Sequence, residues 1–185
     1  LGSLVTRYFL RYGDQPLSSS GKPNLNWAGA KHVENAVLIA PPNAGSVFAI
    51  GNLKDGLRFA PTLPLYRAAV VGTMPALYEL MPRGRHNILK YSGEGYIDPI
   101  DADLWERSKW GLANPEEDEM LRVLLPEISS AEERRAIALD HQRKCIANAH
   151  QFQAAIDAPA QTPSSLSLTL FASDAKRTVC TAETW

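Results

Sequence analysis

Asn35-Ala36-Val37-Leu38-Ile39-Ala40, continued by Pro41-Pro42-Asn43-Ala44-Gly45-Ser46, is the stretch whose reading decides the fold class. Its first part is a short apolar run that ends on prolines, which suits a strand buried on both faces, as in a parallel sheet. Pro41 and Pro42 stop the strand, and Asn43 to Ser46 supply turn chemistry before the next apolar stretch. Strand, turn and helix make a βα unit, so the expected class is α/β. In open parallel sheets ligands bind beyond the carboxyl ends of the strands. Pro42, Asn43, Gly45 and Ser46 are therefore candidate substrate-binding residues.

Upstream, Leu1 to Tyr12 places Leu1, Leu4, Val5, Tyr8 and Phe9 on one helical face by i, i+3, i+4, i+7 spacing. Gly13 stands where a left-handed C-cap is expected, and residues 14–26, rich in Ser, Gly, Pro and Asn, read as loop. A helix that starts at residue 1 without a capping residue raises the expectation of sequence before it.

Downstream, residues 47–126 are broken by glycines and prolines, among them Gly56, Pro61, Pro64, Gly72, Pro75, Pro82, Gly93 and Pro115. Short helices are expected at Leu65 to Val71, Ala76 to Leu80, Ala102 to Trp110 and Glu116 to Leu125. Such an excursion between sheet elements reads as a helical cap or lid. Its aromatics Tyr66, Tyr78, Tyr91, Tyr96, Trp105 and Trp110 either line an apolar substrate pocket or pack the cap, and packing is the simpler reading. Ser130-Ala131-Glu132-Glu133 is a capping box that opens the longest helix, running to about Asp157. Its inward stripe is expected to be Ile137, His141, Cys145, Ala149, Phe152 and Ile156. Leu166 to Ala172, alternating around Leu166, Leu168 and Leu170, is a second strand. The expected organisation is core at residues 1–46, cap at 47–128 and a return to core at 129–185.

The 185 residues are 45% hydrophobic and 21% charged, which suits one globular domain with its own core. Nineteen basic against 20 acidic residues leave a net charge of -1. With no block of like charge, neither nucleic acid nor an anionic membrane is an expected partner. No apolar run approaches the roughly 18 residues of a membrane span. Cys145 and Cys180 are too few for a disulfide framework and lack metal-ligand spacing. Cys145 reads as a small core residue. A soluble, cytoplasmic setting is favoured, with the compartment otherwise open.

His141 and His150 are nine residues apart, roughly 900° around a helix, so they point in nearly opposite directions and share no metal site. Neither these nor His32 and His86 fall in a zinc-protease, phosphate-loop or paired-cysteine motif. No metal or cofactor is expected. Asp98, Asp101 and Asp103 read as a solvated turn with helix capping, lacking the other ligands of a calcium loop. Ser3 fails as a nucleophile on spacing, because Val5 stands where an elbow requires glycine.

The opening, Leu1-Gly2-Ser3-Leu4-Val5 through Gly13, resembles the segment after the serine of a G-x-S-x-G nucleophile elbow, with Leu1 and Gly2 as the motif's last two positions. Together with Val37 to Ser46 and with Pro75-Ala76-Leu77-Tyr78-Glu79-Leu80-Met81-Pro82, it resembles the lecithin:cholesterol acyltransferase-like family of α/β-hydrolases. The two ends and the first part of the cap match best, while Tyr91 to Ser164 match poorly. The resemblance implies a partial α/β-hydrolase fold, parallel strands with flanking helices, carrying a helical cap. It implies an ester or lipid-like substrate and an acyl-enzyme on a serine, followed by transfer to water or another alcohol. The nucleophile would be the residue directly before Leu1, and the Leu1 backbone N–H would be an oxyanion donor. The family's acid-bearing G-D-G segment and its histidine do not occur here. Asp174, just after the second strand, is a candidate acid in a variant arrangement, against a plain turn-forming role. The chain is thus expected to be an inactive fragment of a serine hydrolase or O-acyltransferase. The alternative is a non-catalytic hydrolase-like domain that binds an apolar ligand or a protein partner.

Overall fold

The apolar run at 35–39 and the capping box at 130–133 each start the element expected of them. The computed structural model describes residues 1–17, 23–60, 63–91, 95–175, 178–179 and 181–184. In chain order the helices are α1 (Gly2–Tyr12), α2 (Val47–Asp55), α3 (Ala68–Gly72), α4 (Pro75–Glu79), α5 (Ala102–Arg107), α6 (Asp118–Leu124) and α7 (Ala131–Ile156). The strands are β1 (Asn35–Ile39), β2 (Leu57–Ala60), β3 (Leu63–Tyr66), β4 (Leu89–Tyr91), β5 (Gly95–Ile97), β6 (Ser167–Phe171) and β7 (Ala182–Thr184). The chain is therefore mixed helix and strand, with small parallel and antiparallel sheets. Among the described residues, no helix is long and apolar enough to cross a membrane. Pro61, Gly93 and Cys180 lie outside them. Two compact units result, one of Leu1–Ala44 with His150–Val179, the other of Gly45–Ala149 with Cys180–Trp185.

In the first unit β1 pairs with β6 in parallel, from Asn35 opposite Ser167 to Ile39 opposite Phe171. Burial on both faces does not follow. Ala36 and Leu38 are buried, while Val37 and Ile39, on the other face, are 56% and 72% exposed. Of the leucines expected to alternate inward in the second strand, only Leu166 is buried; Leu168 and Leu170 are exposed, and so is Phe171. The inward face of α1 also differs from the periodic reading. Leu4, Leu10 and Tyr12 are buried, but the Leu1, Val5 and Phe9 stripe is exposed. Leu10 packs with Ala30, Ala36 and Leu166 instead. Gly13 closes α1 with φ 64, its N–H donating to the Phe9 carbonyl.

The carboxyl end of α7 is held by α1. Tyr12 Oη donates to the Ala155 carbonyl at 2.9 Å, Arg7 to that of Ile156 at 2.9 Å, and Arg11 to that of Ala158. These carbonyls lie in the last turn of α7 and just beyond it, where i+4 partners run out, although Ala155 O also accepts from Ala158 N at 3.3 Å; guanidinium groups also suit the negative end of the helix dipole.

The second unit contains more than short helices. The expected helix at Leu65 to Val71 is instead the end of β3 followed by α3, because β3 pairs back on β2 in an irregular antiparallel hairpin. β4 lies between antiparallel β5 and parallel β7. The core gathers Ile50, Leu53, Tyr78, Met81, Trp105 and Ile146. Pro75 stands in the first turn of α4, where its missing N–H costs nothing. Ser130 Oγ accepts from Glu133 N at 3.3 Å, giving half of the capping box. Four residues of the expected inward stripe of α7, Cys145, Ala149, Phe152 and Ile156, are buried, while His141 is half-buried and Ile137 departs from it. Ala138, Gln142, Cys145, Ile146 and Ala149 are buried, whereas Ile137 is 39% exposed. Gln142 sits on the inner face because its Oε1 accepts from Leu112 N at 2.9 Å.

The two faces of β1 give a direct comparison. Leu38→Ala should cost about 2–4 kcal/mol in urea denaturation, and Ile39→Ala less than about 1 kcal/mol. Sedimentation should show self-association of the chain, relieved by Ile39→Lys with Phe171→Lys. A monomer at all concentrations, or equal costs at the two positions, would contradict the burial pattern.

Candidate functional site

Parallel pairing brings the ends of β1 and β6 side by side, with Ala40 N donating to Phe171 O at 2.9 Å. The Ala40–Ala44 loop and the Ala172–Asp174 connection thus leave from the same sheet edge. Ala40 has φ 46, a left-handed conformation that costs a non-glycine residue roughly 1–2 kcal/mol. The turn then tightens, with Asn43 N donating to Pro41 O at 2.8 Å. Pro42 and Asn43 are half-buried and Asp174 is exposed.

Asn43 is oriented by a residue that the periodic reading passed over. Arg7 on α1 donates to Asn43 Oδ1 at 2.8 Å, and its guanidinium lies 4.0 Å from Asp157. Arginine has only donors, so the oxygen of the Asn43 amide must face it. The Asn43 Nδ2 remains as a donor at this edge. Leu1 begins the same helix; its carbonyl accepts from Leu4 N and Val5 N, and its side chain is exposed. Ser3 lies in that first turn, half-buried.

Gly45 and Ser46 belong to the second unit, where they meet residues 80–82. Ser46 N donates to Leu80 O at 2.7 Å. Gly45 has φ 87, and a Cβ there would press on the Met81 carbonyl and lie 2.5 Å from Pro82 Cα. Glycine is required twice over, by backbone conformation and by space.

Three of the six aromatics expected in the cap are packing groups. Tyr78, Trp105 and Trp110 are buried in one cluster, with Trp105 edge-on to Trp110 at 5.7 Å between ring centroids. Trp105 Nε1 donates to Pro99 O at 2.8 Å and Tyr78 Oη to Gly72 O at 3.1 Å, so both polar tips are satisfied. Tyr66 and Tyr96 are exposed, and the side chain of Tyr91 lies outside the described residues. The acidic trio divides as a capped turn does: Asp98 accepts from Ile100 N, Asp101 from Asp103 N at the start of α5, and Asp103 pairs with Arg143. Among the described residues, no three His, Cys, Asp or Glu side chains gather closely enough to hold a metal ion.

His32, His86 and His150 are exposed, while half-buried His141 has its Nε2 3.4 Å from Cys145 Sγ. Burial, with Glu79 adding repulsion, pushes the Cys145 thiol above its usual range. Burial raises Tyr78 and Glu79 in the same sense. Cys145 is thus an inert core thiol, not an activated nucleophile. Comparison with protein-family models, curated proteins and solved structures finds no match to this chain.

Gly45→Ala should cost about 2–4 kcal/mol in urea denaturation, from left-handed strain plus overlap with Pro82; a loss under about 1 kcal/mol would show that the approach is loose. The raised thiol and phenol also set a pH dependence. The folded state holds these protons more tightly than the unfolded chain, so stability should fall as pH rises above about 8.5. Thermal unfolding at pH 8 and pH 10 should show this fall, made shallower by Cys145→Ala; an unchanged slope would remove the thiol from the account.

Proposed function

We propose that the chain is the cap-bearing part of a serine hydrolase or O-acyltransferase of the α/β-hydrolase kind, acting on ester or lipid-like substrates through an acyl-enzyme. The observation that carries this reading is the parallel, in-register pairing of β1 with β6. Two core strands joined by a long crossover through helices are what the resemblance calls for. The ligand-binding edge of such a pair is its carboxyl end, from which the Asn43 loop and the Asp174 connection depart.

Uncovered apolar surface gives further support. Val37, Ile39 and Phe171 on the sheet, and Leu1, Val5 and Phe9 on α1, are exposed. Parallel strands are normally covered on both faces, and a larger hydrolase sheet would cover these side chains. Within the second unit, the end of the first family-like stretch, Ser46, contacts Leu80 of the other.

In this reading a serine directly before Leu1 attacks the ester carbonyl, and the Leu1 N–H, at the positive end of α1, helps to hold the tetrahedral oxyanion. The Asn43 Nδ2 supplies a second donor for a substrate oxygen. Asp174 is the acid candidate within the chain, and the catalytic histidine would come from elsewhere in the protein.

The test is a fluorophosphonate serine-hydrolase probe applied to the full-length product of the encoding reading frame. Labelling is expected, and it should vanish when the residue before Leu1 is changed to Ala. A residue other than Ser at that position, or labelling that survives the change, would end the esterase reading.

A further inference from the structure

The second unit contains a cavity of about 220 Å³ that none of the candidate site residues lines. Its wall is Leu112, Leu121, Leu124, Leu125, Ile137 and Ala138, contributed by α6 and its C-cap, α7 and the turn at Gly111–Ala113, with Thr73 and His141 as the only polar lining groups among the described residues. The floor is fully buried, since Leu112, Leu121 and Ala138 pack together with Ala69. The rim is open: Leu124 and Ile137 are 36% and 39% exposed, and Thr73 is exposed.

The segments around it are fixed by buried polar contacts. Leu112 N is held by the buried Gln142 Oε1 at 2.9 Å. At the start of α3 the buried Glu117 carboxylate accepts from Ala69 N at 3.0 Å and pairs with Arg67 at 3.3 Å. Breaking either contact would strand a buried donor or a buried carboxylate.

We infer that this cavity is a binding site for a short unbranched alkyl chain whose polar end remains at the rim beside Thr73 and His141. A closed aliphatic cavity of roughly 150 Å³ already takes a small hydrocarbon in place of water, and this one is larger. Among the described residues no Asp, Glu, Lys or Arg lines it, so a charged ligand finds no ion-pair partner there. Thr73 Oγ1 donates to Val70 O at 2.7 Å and so offers only acceptor capacity. His141 is steadied by its contact with Cys145 Sγ. An amphiphile with a hydrocarbon tail and a small uncharged head that can donate a hydrogen bond, such as an aliphatic alcohol, matches that arrangement. Alkyl binding here needs no catalytic serine and stands whether or not the parent protein is an esterase.

The test uses the 185-residue chain and hexan-1-ol, followed by methyl and imidazole NMR resonances. Saturable shifts are expected at Leu112, Leu121, Ile137 and His141, with a dissociation constant on the order of 1 mM, and glycerol at equal concentration should leave them unmoved. Ala138→Phe, which fills the floor, should weaken binding at least about tenfold. Ile137→Trp, at the exposed rim, provides the same block should Ala138→Phe fail to fold. Shifts that do not saturate, an equal response to glycerol, or undiminished binding in a folded blocked variant would overturn the inference.

Discussion

The 26-residue helix α7 ends in the first unit, where carbonyls of its last turn and of the residues just after it accept from side chains of α1. Arg7, Arg11 and Tyr12 of α1 reach the carbonyls of Ile156, Ala158 and Ala155. That fixes which side of α1 turns inward, which is why Val5 and Phe9 are left in solvent despite their apolar character. Arg7 then extends the same anchoring to Asn43 beyond β1. The second unit answers the same demand with different groups: Gln142 serves the Leu112 N–H, and Glu117 serves the start of α3. Buried backbone polarity has to be met somewhere, and here a few long side chains meet it.

The same demand decides how much residue order could reveal. β1 and β6 were legible because apolar runs bounded by prolines or turn residues have few other uses, and α7 was legible from Ser130 and its length. The orientation of α7 was legible in its second half, where Cys145, Ala149, Phe152 and Ile156 are buried. It was not at Ile137, which is 39% exposed, nor at Gln142, which is buried with its Oε1 accepting from Leu112 N. The strands β2 to β5 were also missed. Each is four residues or shorter, and what makes them strands is a neighbour along the hairpin rather than any alternation of their own.

At the candidate site the legible part was the turn chemistry of residues 41–46. Gly45 could be expected in a turn, but its close approach to Pro82 depends on a segment distant in sequence. Arg7 carried no motif that marked it. Asn43 becomes a defined donor only because a side chain that cannot accept hydrogen bonds faces its oxygen. The cap aromatics Trp105 and Tyr78, which chemistry alone leaves between pocket and core, are settled by having their polar tips satisfied inside the core.

The in-register β1–β6 pair has a consequence for how the molecule is made. Its partners close a loop of about 130 residues, an entropic cost that nearby contacts do not share. During synthesis β1 leaves the ribosome long before β6 exists, so an apolar strand must wait unpaired while residues 45–149 emerge and can fold as a largely continuous segment. Prolines 41 and 42 at its end act as gatekeepers during that interval, denying a passing strand the next hydrogen-bond donors and limiting how far misassembly can spread along the chain.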